Sequence, residues 1–332
     1  MTMHDPIKSP DKDEGPRSLI ERASQMYDFR KALSPEAPKL PEAPVAPPAA
    51  AATPAPAPML PPVAPPPVVA APVVPPVAAA PVVPRGPVLP VAEVDRDLLR
   101  ESAFIVPDGP VTSISEEFRI VKRRLLASVQ AEINAGLGVA AQRILICSAN
   151  PGDGKTYSAI NLALSIATEK DHDVVLVDAD FAKPSILSSL GIAGQSGLMD
   201  ALADPAVDVQ DLIIPTDISG LSVLPAGRQT NTDSEYLASA RTQEVLASLT
   251  AGRPGRIVIF DSPPLLAASP AATIAQHVGH ALMVVRADVT SERALRDALS
   301  LIAGCNQIQL LLNGVKFSPS GRSFGSYYGY GE

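Results

Sequence analysis

Short apolar runs and amphipathic stretches alternate along the C-terminal two-thirds of the chain. The runs at residues 143–148, 174–178, 221–224, 257–261, 281–285 and 308–312 are dense in Val, Ile and Leu and read as strands. Their near-continuous apolar character fits strands covered on both faces, the pattern of a parallel sheet. Between them the spacing lengthens to the helical period at 156–169, 235–251 and 291–303. A further helix precedes the first strand. Ser113 and Glu116 form a capping box for it, and Phe118, Val121, Leu125, Val129 and Ile133 supply one apolar face. The alternation predicts an α/β fold, a mostly parallel central sheet flanked by helices.

The N-terminal third reads differently. Leu19, Ala23, Met26 and Leu33 recur on one face of an expected helix at 18–33, with Ser18 as N-cap and Pro35 ending it. Two readings of that face stay open: a docking surface, or a marginal helix that frays for want of a partner. From Pro35 to Pro90 the chain holds 21 of its 36 prolines, among Ala and Val, with Arg85 the only charge after Glu42. Such a segment favours extended polyproline II and packs no core; it is expected to be a disordered spacer reaching roughly 170 Å. The expected divisions are 1–34, a polar start with the short helix; 35–93, the linker; 94–316, one α/β domain; and 317–332, a flexible tail.

Charge and cysteine content narrow the function classes. The net charge is −8 and no basic block occurs, which argues against nucleic acid as a partner. Cys147 and Cys305 sit in or near apolar segments without metal-ligand spacing, and are expected to be reduced core thiols. The first fifteen residues are too polar for a secretory signal, and prolines interrupt the apolar run at 68–83 too often for a membrane span. The expected compartment is the cytoplasm.

The chemistry concentrates at strand ends. Directly after the first strand the chain reads Ala149, Asn150, Pro151, Gly152, Asp153, Gly154, Lys155, Thr156, and Tyr157 continues into the helix. This is the phosphate-loop spacing of a P-loop NTPase. Glycines let successive backbone N–H groups curl round a phosphate, and the helix N-terminus adds a favourable partial charge. Lys155 is placed to reach the β- and γ-phosphates and the Thr156 hydroxyl to ligate Mg²⁺. Asp178 and Asp180 end the second strand, and Asp261 ends a later one within Asp261-Ser-Pro-Pro264. Three acids at the sheet edge where ligands bind offer Mg²⁺ ligation and one proton acceptor, although a strand-end Asp also commonly opens a turn. At the far end Tyr327, Tyr328 and Tyr330 stand among glycines, half of the six tyrosines in the last six residues. In an exposed tail they bury nothing, which makes them candidate phosphoacceptors.

The loop PGDGKT, the segment VLVDAD, the strand with DSPP, the stretches Leu224-Pro-Ala-Gly227 and NTDSEYL, and the tyrosine tail follow one another in a familiar order. In that order the domain resembles the bacterial tyrosine autokinases of exopolysaccharide and capsule biosynthesis, whose wider relatives are MinD/ParA-like P-loop ATPases. The N-terminal SLIERA is similar to the exosortase-associated branch. The resemblance implies that Pro151, Gly152, Asp153, Gly154, Lys155, Thr156 and Tyr157 hold ATP, with Asn313 at the adenine. It implies Mg²⁺ on Thr156, Asp180 and Asp261, and catalysis by Lys155, Asp178 and Asp180, Asp178 accepting the tyrosine proton. It further implies a homo-oligomer built through Glu116, Arg119 and Lys122, Lys122 standing where the family has arginine.

Other implied partners are a membrane-embedded polysaccharide chain-length or export protein that recruits and activates the chain at the inner face of the membrane, and a cognate tyrosine phosphatase. Two departures stand out. Ala182 occupies the place of an expected arginine, with Lys183 beside it, and Asn150 replaces the signature lysine of the partitioning ATPases. The rival expectations are a MinD/ParA-like ATPase and a non-catalytic ATP-gated scaffold.

Overall fold

The computed structural model describes residues 89–315, Leu137 and Asn231 excepted. The expected helix at 18–33, the proline-rich segment up to residue 88 and the tyrosine tail lie outside the described residues. The first half contains α1 (Arg96–Glu101), α2 (Ser113–Asn134), β1 (Arg143–Ser148), α3 (Lys155–Ala167), β2 (Asp173–Asp178), α4 (Ile186–Leu190) and α5 (Leu198–Ala203). Then follow β3 (Ile214–Pro215), β4 (Leu221–Leu224), α6 (Asp233–Leu237), α7 (Ala240–Ser248), β5 (Arg256–Asp261), α8 (Pro270–Ile274), β6 (His280–Arg286), α9 (Glu292–Leu301) and β7 (Gln307–Asn313).

The seven strands form one sheet in the order β3-β4-β2-β5-β1-β6-β7. Every pairing is parallel except the short one between β3 and β4. The expected α/β architecture is the observed one, and all six expected strands are present. Alternate side chains feed two cores. Leu145, Cys147, Val175, Val177, Val258 and Phe260 face one side, and Ile144, Ile146, Val174, Leu176, Ile257 and Ile259 the other. Burial on both faces is the physical reason these strands tolerate almost no polar residue. Cys147 and Cys305 are free and buried as expected, and burial pushes the Cys147 thiol up to about 12.

The helix that carries the phosphate loop is the most enclosed. From Ser158 to Ala167 every residue of α3 is buried, in the core that also takes Phe118, Leu125 and Val129 of α2. Lys122 supplies the polar closure of this packing. Its ammonium donates to Ser165 O at 2.7 Å and Thr168 Oγ1 at 3.2 Å, and pairs with Glu169 at 2.7 Å. It thereby satisfies a carbonyl at the C-terminal end of α3, where a cation also complements the helix dipole. Lys122 is 3% exposed, which corrects its expected place on an oligomer surface. Arg123 and Arg124, next in the chain, are the exposed cations here.

Local polar groups account for two departures from the expected elements, and one short strand is added. The capping box of α2 uses Thr112 and Ser115 rather than Ser113 and Glu116; Glu116 pairs instead with Arg119 one turn on. The helix expected at 235–251 is two helices, α6 and α7. They break at Ser239, where the Ser239 and Thr242 hydroxyls both donate to Tyr236 O and stand in for the backbone ladder. The two-residue β3 had no signal in the pattern, and its Pro215 is tolerable because β3 ends the sheet. Among the described residues no helix is long and apolar enough to cross a membrane.

Replacing Lys122 by Met keeps the side-chain length and removes the charge and its donors. The expected cost is about 1–3 kcal/mol, read as a fall of several degrees in the thermal midpoint. The particle mass from light scattering is expected to stay unchanged, because the residue faces inward.

Candidate active site

The sheet topology decides which loops meet. β1 lies between β5 and β6, and β5 lies between β1 and β2. The register aligns Ile146 of β1 with Asp261 of β5, and Asp261 with Asp178 of β2. The phosphate loop and the strand-end acids therefore open on one edge of the sheet, outside the carboxyl ends of parallel strands.

Residues 149–154 turn from β1 into α3. Gly152 at φ +79° and Gly154 at φ +99° lie in the left-handed region that favours glycine. Gly154 has a second constraint: a Cβ there would overlap the Asn313 side-chain amide. Lys155 opens α3 and is 7% exposed. The first N–H groups of α3 have no carbonyl one turn back, so they are available donors for an anion.

The outer side of the loop is held by Asn313 and by two residues that the sequence did not single out, Arg286 and Thr290. Arg286 Nη1 donates to Gly152 O at 2.8 Å, and Asn313 Nδ2 donates to Asp153 O at 2.9 Å. Asp153, 1% exposed, accepts from Asn150 N and from Thr290 Oγ1, each at 2.9 Å. Arg286 ends β6, Asn313 ends β7 and the two are register partners. Their spacing in the chain carries no signal of this. Only the neighbouring position of β6 beside β1 brings Arg286 and Thr290 to the loop. Asn313, expected at the adenine, thus lies against the phosphate loop, with one amide donor committed to it. The Tyr157 hydroxyl donates to Ala103 O at 2.8 Å and its ring stacks on Phe104.

The acids divide into different environments. Thr156 Oγ1 donates to Asp261 Oδ2 at 2.6 Å. Asp261 is fully buried, and its Oδ1 has no hydrogen-bond partner. Burial, chiefly, pushes its carboxyl up to about 7; the Thr156 bond and Lys155 oppose that rise, while Asp178 and Asp180 add to it. Asp178 is 1% exposed and accepts from the backbone amides of Asp180, Ser185 and Ile186 at 3.2, 2.8 and 3.0 Å. Burial raises its carboxyl despite those three amides. Asp180 is less buried and accepts from Lys183 N at 3.1 Å. Ala182 and Lys183 are exposed on the same turn.

Among the described residues no group of three or more His, Cys, Asp or Glu side chains gathers as a metal cage. Asp178, expected to accept a proton rather than to bind the ion, is turned into its own loop. A hydroxyl beside a buried carboxylate with one open oxygen is nonetheless a hard-oxygen donor set. That set fits Mg²⁺, which commonly takes one or two carboxylates and completes its shell with phosphate and water. Glu116 and Arg119 pair on α2, 20% and 40% exposed, apart from the loop's donors. Tyr327, Tyr328 and Tyr330 lie outside the described residues.

No protein-family model matches the chain. It is similar to the tyrosine-protein kinase Wzc of Salmonella typhimurium, 28% identical over 235 residues that cover 70% of this chain and 31% of Wzc. It is also 27% identical over 224 residues to the tyrosine-protein kinase YwqD of Bacillus subtilis, covering 67% of this chain and 87% of YwqD. Among solved structures, the kinase domain of Escherichia coli tyrosine kinase Etk superposes with a TM-score of 0.50 at 26% identity, over 59% of this chain and 77% of that domain. The chain is similar in sequence to bacterial tyrosine kinases. The chain spans about a third of the length of Wzc and most of that of YwqD.

Two outcomes follow from the loop and its buried acid. Asp261 has a folded pKa raised from 3.8 to about 7, so the folded chain binds the extra proton inside that window. Its contribution to stability is therefore lost as pH rises through the window. In nucleotide- and metal-free protein, Asp261→Asn is expected to raise the thermal midpoint by several degrees at pH 8, with a ceiling of about 4 kcal/mol. The gain should vanish near pH 4, and a pH series of melting curves checks it. Gly154→Ala meets both the backbone constraint and the Asn313 amide, so the rise in midpoint that Mg-ATP gives the unsubstituted chain is expected to disappear.

Proposed function

We propose that the chain is an ATP-dependent protein-tyrosine autokinase that transfers the γ-phosphoryl group of ATP to Tyr327, Tyr328 and Tyr330 of its own tail. The Thr156–Asp261 contact at the mouth of the phosphate loop is the single observation that carries this reading. It brings a hydroxyl, a buried carboxylate and a loop of backbone donors to one point, beside the strand end that bears Asp178 and Asp180. In the segment from Pro151 to Tyr157, the backbone N–H groups of Gly152 onward would hold the triphosphate, with Lys155 on its terminal phosphates. Thr156 and Asp261, with Asp180 nearby, would hold Mg²⁺. When bound, the ion supplies charge neutralisation on the β- and γ-oxygens, the main need of phosphoryl transfer.

The chain's own groups do the rest by position. Lys155 orients the terminal phosphate, and the enclosed α3 keeps the loop amides fixed so that little reorganisation is needed. A phenol has a pKa near 10, so a carboxylate helps only as its proton leaves. Asp178, raised by burial, is a stronger proton acceptor than an ordinary carboxylate. Thirteen residues separate Val315 from Tyr328, an extended reach of roughly 43 Å. That suffices for a neighbouring subunit's site, so transfer in trans within a homo-oligomer fits, with Glu116 and Arg119 at the contact. Phosphates add about −1.5 to −2 charges each and would repel the tails, loosening the assembly. The resemblance supports a place in exopolysaccharide synthesis, on the cytoplasmic side of the membrane, with a membrane-embedded export protein as activator and a tyrosine phosphatase as counterpart.

One observation favours a second reading. Ala182 is an exposed alanine where an arginine is expected, and three backbone amides already engage Asp178. A chain with these features that binds ATP without transferring it would be an ATP-gated scaffold.

Incubating the full chain with Mg-ATP separates the readings. The kinase is expected to gain phosphotyrosine only at Tyr327, Tyr328 and Tyr330, and Lys155→Met to reduce the label at least about a hundredfold. Mixed with unsubstituted protein, the Lys155→Met chain should become labelled on its own tail. ATP binding with neither label nor released phosphate would establish the scaffold, and released phosphate without label a plain ATPase.

A further inference from the structure

A groove of about 520 Å³ lies at the β3 edge of the sheet, four places from the strand that carries the phosphate loop. One wall is residues 89–93, where Ala92 pairs in parallel with Thr216 just beyond β3. The loop 191–196 and the turn that holds Asp211 and Leu212 form the others. Leu89, Val91, Ile192, Leu212 and Ile214 give the groove an apolar lining, and Val91 is 65% exposed. Glu93 and Asp211 stand exposed on its rim, and among the described residues no Lys, Arg or His lines it. Arg96, three residues after Glu93, is already paired with Asp217 at 2.7 Å. The first wall is fixed in place: Ala92 N donates to Pro215 O at 2.8 Å, Asp217 N to Ala92 O at 2.9 Å and Asp95 N to Leu190 O at 3.0 Å.

We propose that residues 81–88, the root of the proline-rich segment, turn back into this groove, lay their valines on its apolar lining and set Arg85 against Glu93 and Asp211. The described residues start at Leu89, which itself lines the groove, so the segment leaves the domain at the groove's lip. Its last eight residues read PVVPRGPV. Val82, Val83 and Val88 match the lining, and Gly86 gives the chain a place to reverse. Arg85 is the only charge between Glu42 and Glu93, and it falls within a few residues of a rim that has two carboxylates and no cation. Opposite charge at that rim selects this stretch over the rest of the segment, which has valines but no cation. The consequence reaches the site. Gly191 lines the groove and caps α4, and at the other end of that five-residue helix Ser185 N and Ile186 N hold Asp178. The docked root braces α4, so a partner that pulls on the segment is felt where Asp178 is held. The proposal stands on the groove and the segment alone and does not use the kinase reading.

Thiol labelling of the full chain tests this, because Cys147 and Cys305 are buried and leave an introduced cysteine as the reactive one. Val83→Cys is expected to react at least about tenfold more slowly than Val68→Cys, placed farther up the same segment. In the Val83→Cys chain, Arg85→Glu sets like charges together and should bring the two rates within about twofold. Adding Glu93→Lys and Asp211→Lys to Arg85→Glu reverses the pairing and should restore the slow rate. Val83→Cys combined with Ala193→Cys should oxidise to a disulfide within one chain. Hydrogen exchange at residues 185–196 is expected to quicken in Arg85→Glu, the amides of Ser185 and Ile186 included. Silence of Cys147 and Cys305 towards the label is the folding control for every variant.

Equal rates for Val83→Cys and Val68→Cys, a rate that ignores Arg85→Glu, or a swap that restores nothing overturns the proposal. A disulfide that joins two chains also overturns it, because it gives the groove to a second copy. Unaltered exchange at 185–196 refutes the bracing of α4. None of these outcomes depends on phosphate transfer, so a chain that never labels its tail refutes the kinase reading and leaves the docked root standing.

Discussion

The short bond from Thr156 to Asp261 is the constraint on which the rest of the site depends. It exists because parallel pairing sets β5 beside β1 in a register that ends with Asp261 at the phosphate loop. A carboxylate with no solvent exposure is unfavourable unless something compensates it. Here one oxygen has the Thr156 hydroxyl and the other has nothing, while burial lifts the group's pKa to about 7. The protein keeps an unfavourable group in its core at the point where a hard cation and a phosphate would relieve it. Stability and binding pull in opposite directions at this residue, as is common where a site is held ready for a charged ligand.

Around that point the fold supplies rigidity from two sides. On the inner side α3 is buried along nearly its whole length, and its far end is closed by the Lys122 ammonium. Motion of the loop is therefore resisted by a helix that cannot tilt without opening the core. On the outer side Arg286, Thr290 and Asn313 grip the loop through its carbonyls and through Asp153. Such grips leave the inward N–H donors for the ligand. Asn313 also ends the last strand, so the tail takes its origin two residues beyond a side chain that touches the phosphate loop.

Much of the fold was legible because burial on both faces leaves a strong signature. Six strands appeared as dense Val, Ile and Leu runs, and the phosphate loop stood out because glycine and lysine spacing there answers to a local need. Where small hydroxyl groups competed with the backbone, the pattern misled. Thr112 and Ser115 took the cap expected of Ser113 and Glu116, and Ser239 with Thr242 ended a helix that its apolar spacing would have continued. Lys122 misled for a different reason. A lysine on a helix reads as surface, and nothing local reveals that its stem passes under α3 to reach a carbonyl forty-three residues away.

By itself the sequence determined the class of fold, the strand that precedes the loop, and the acids that end β2 and β5, since periodicity and short motifs act over a few residues. Tertiary structure alone decided which strand lies beside which. That order brings Asp261 to Thr156, turns Asp178 into its own loop, and sets Arg286 and Asn313 against the phosphate loop. Such contacts depend on register between segments a hundred residues apart, and register is set by how whole faces pack rather than by any neighbouring residue.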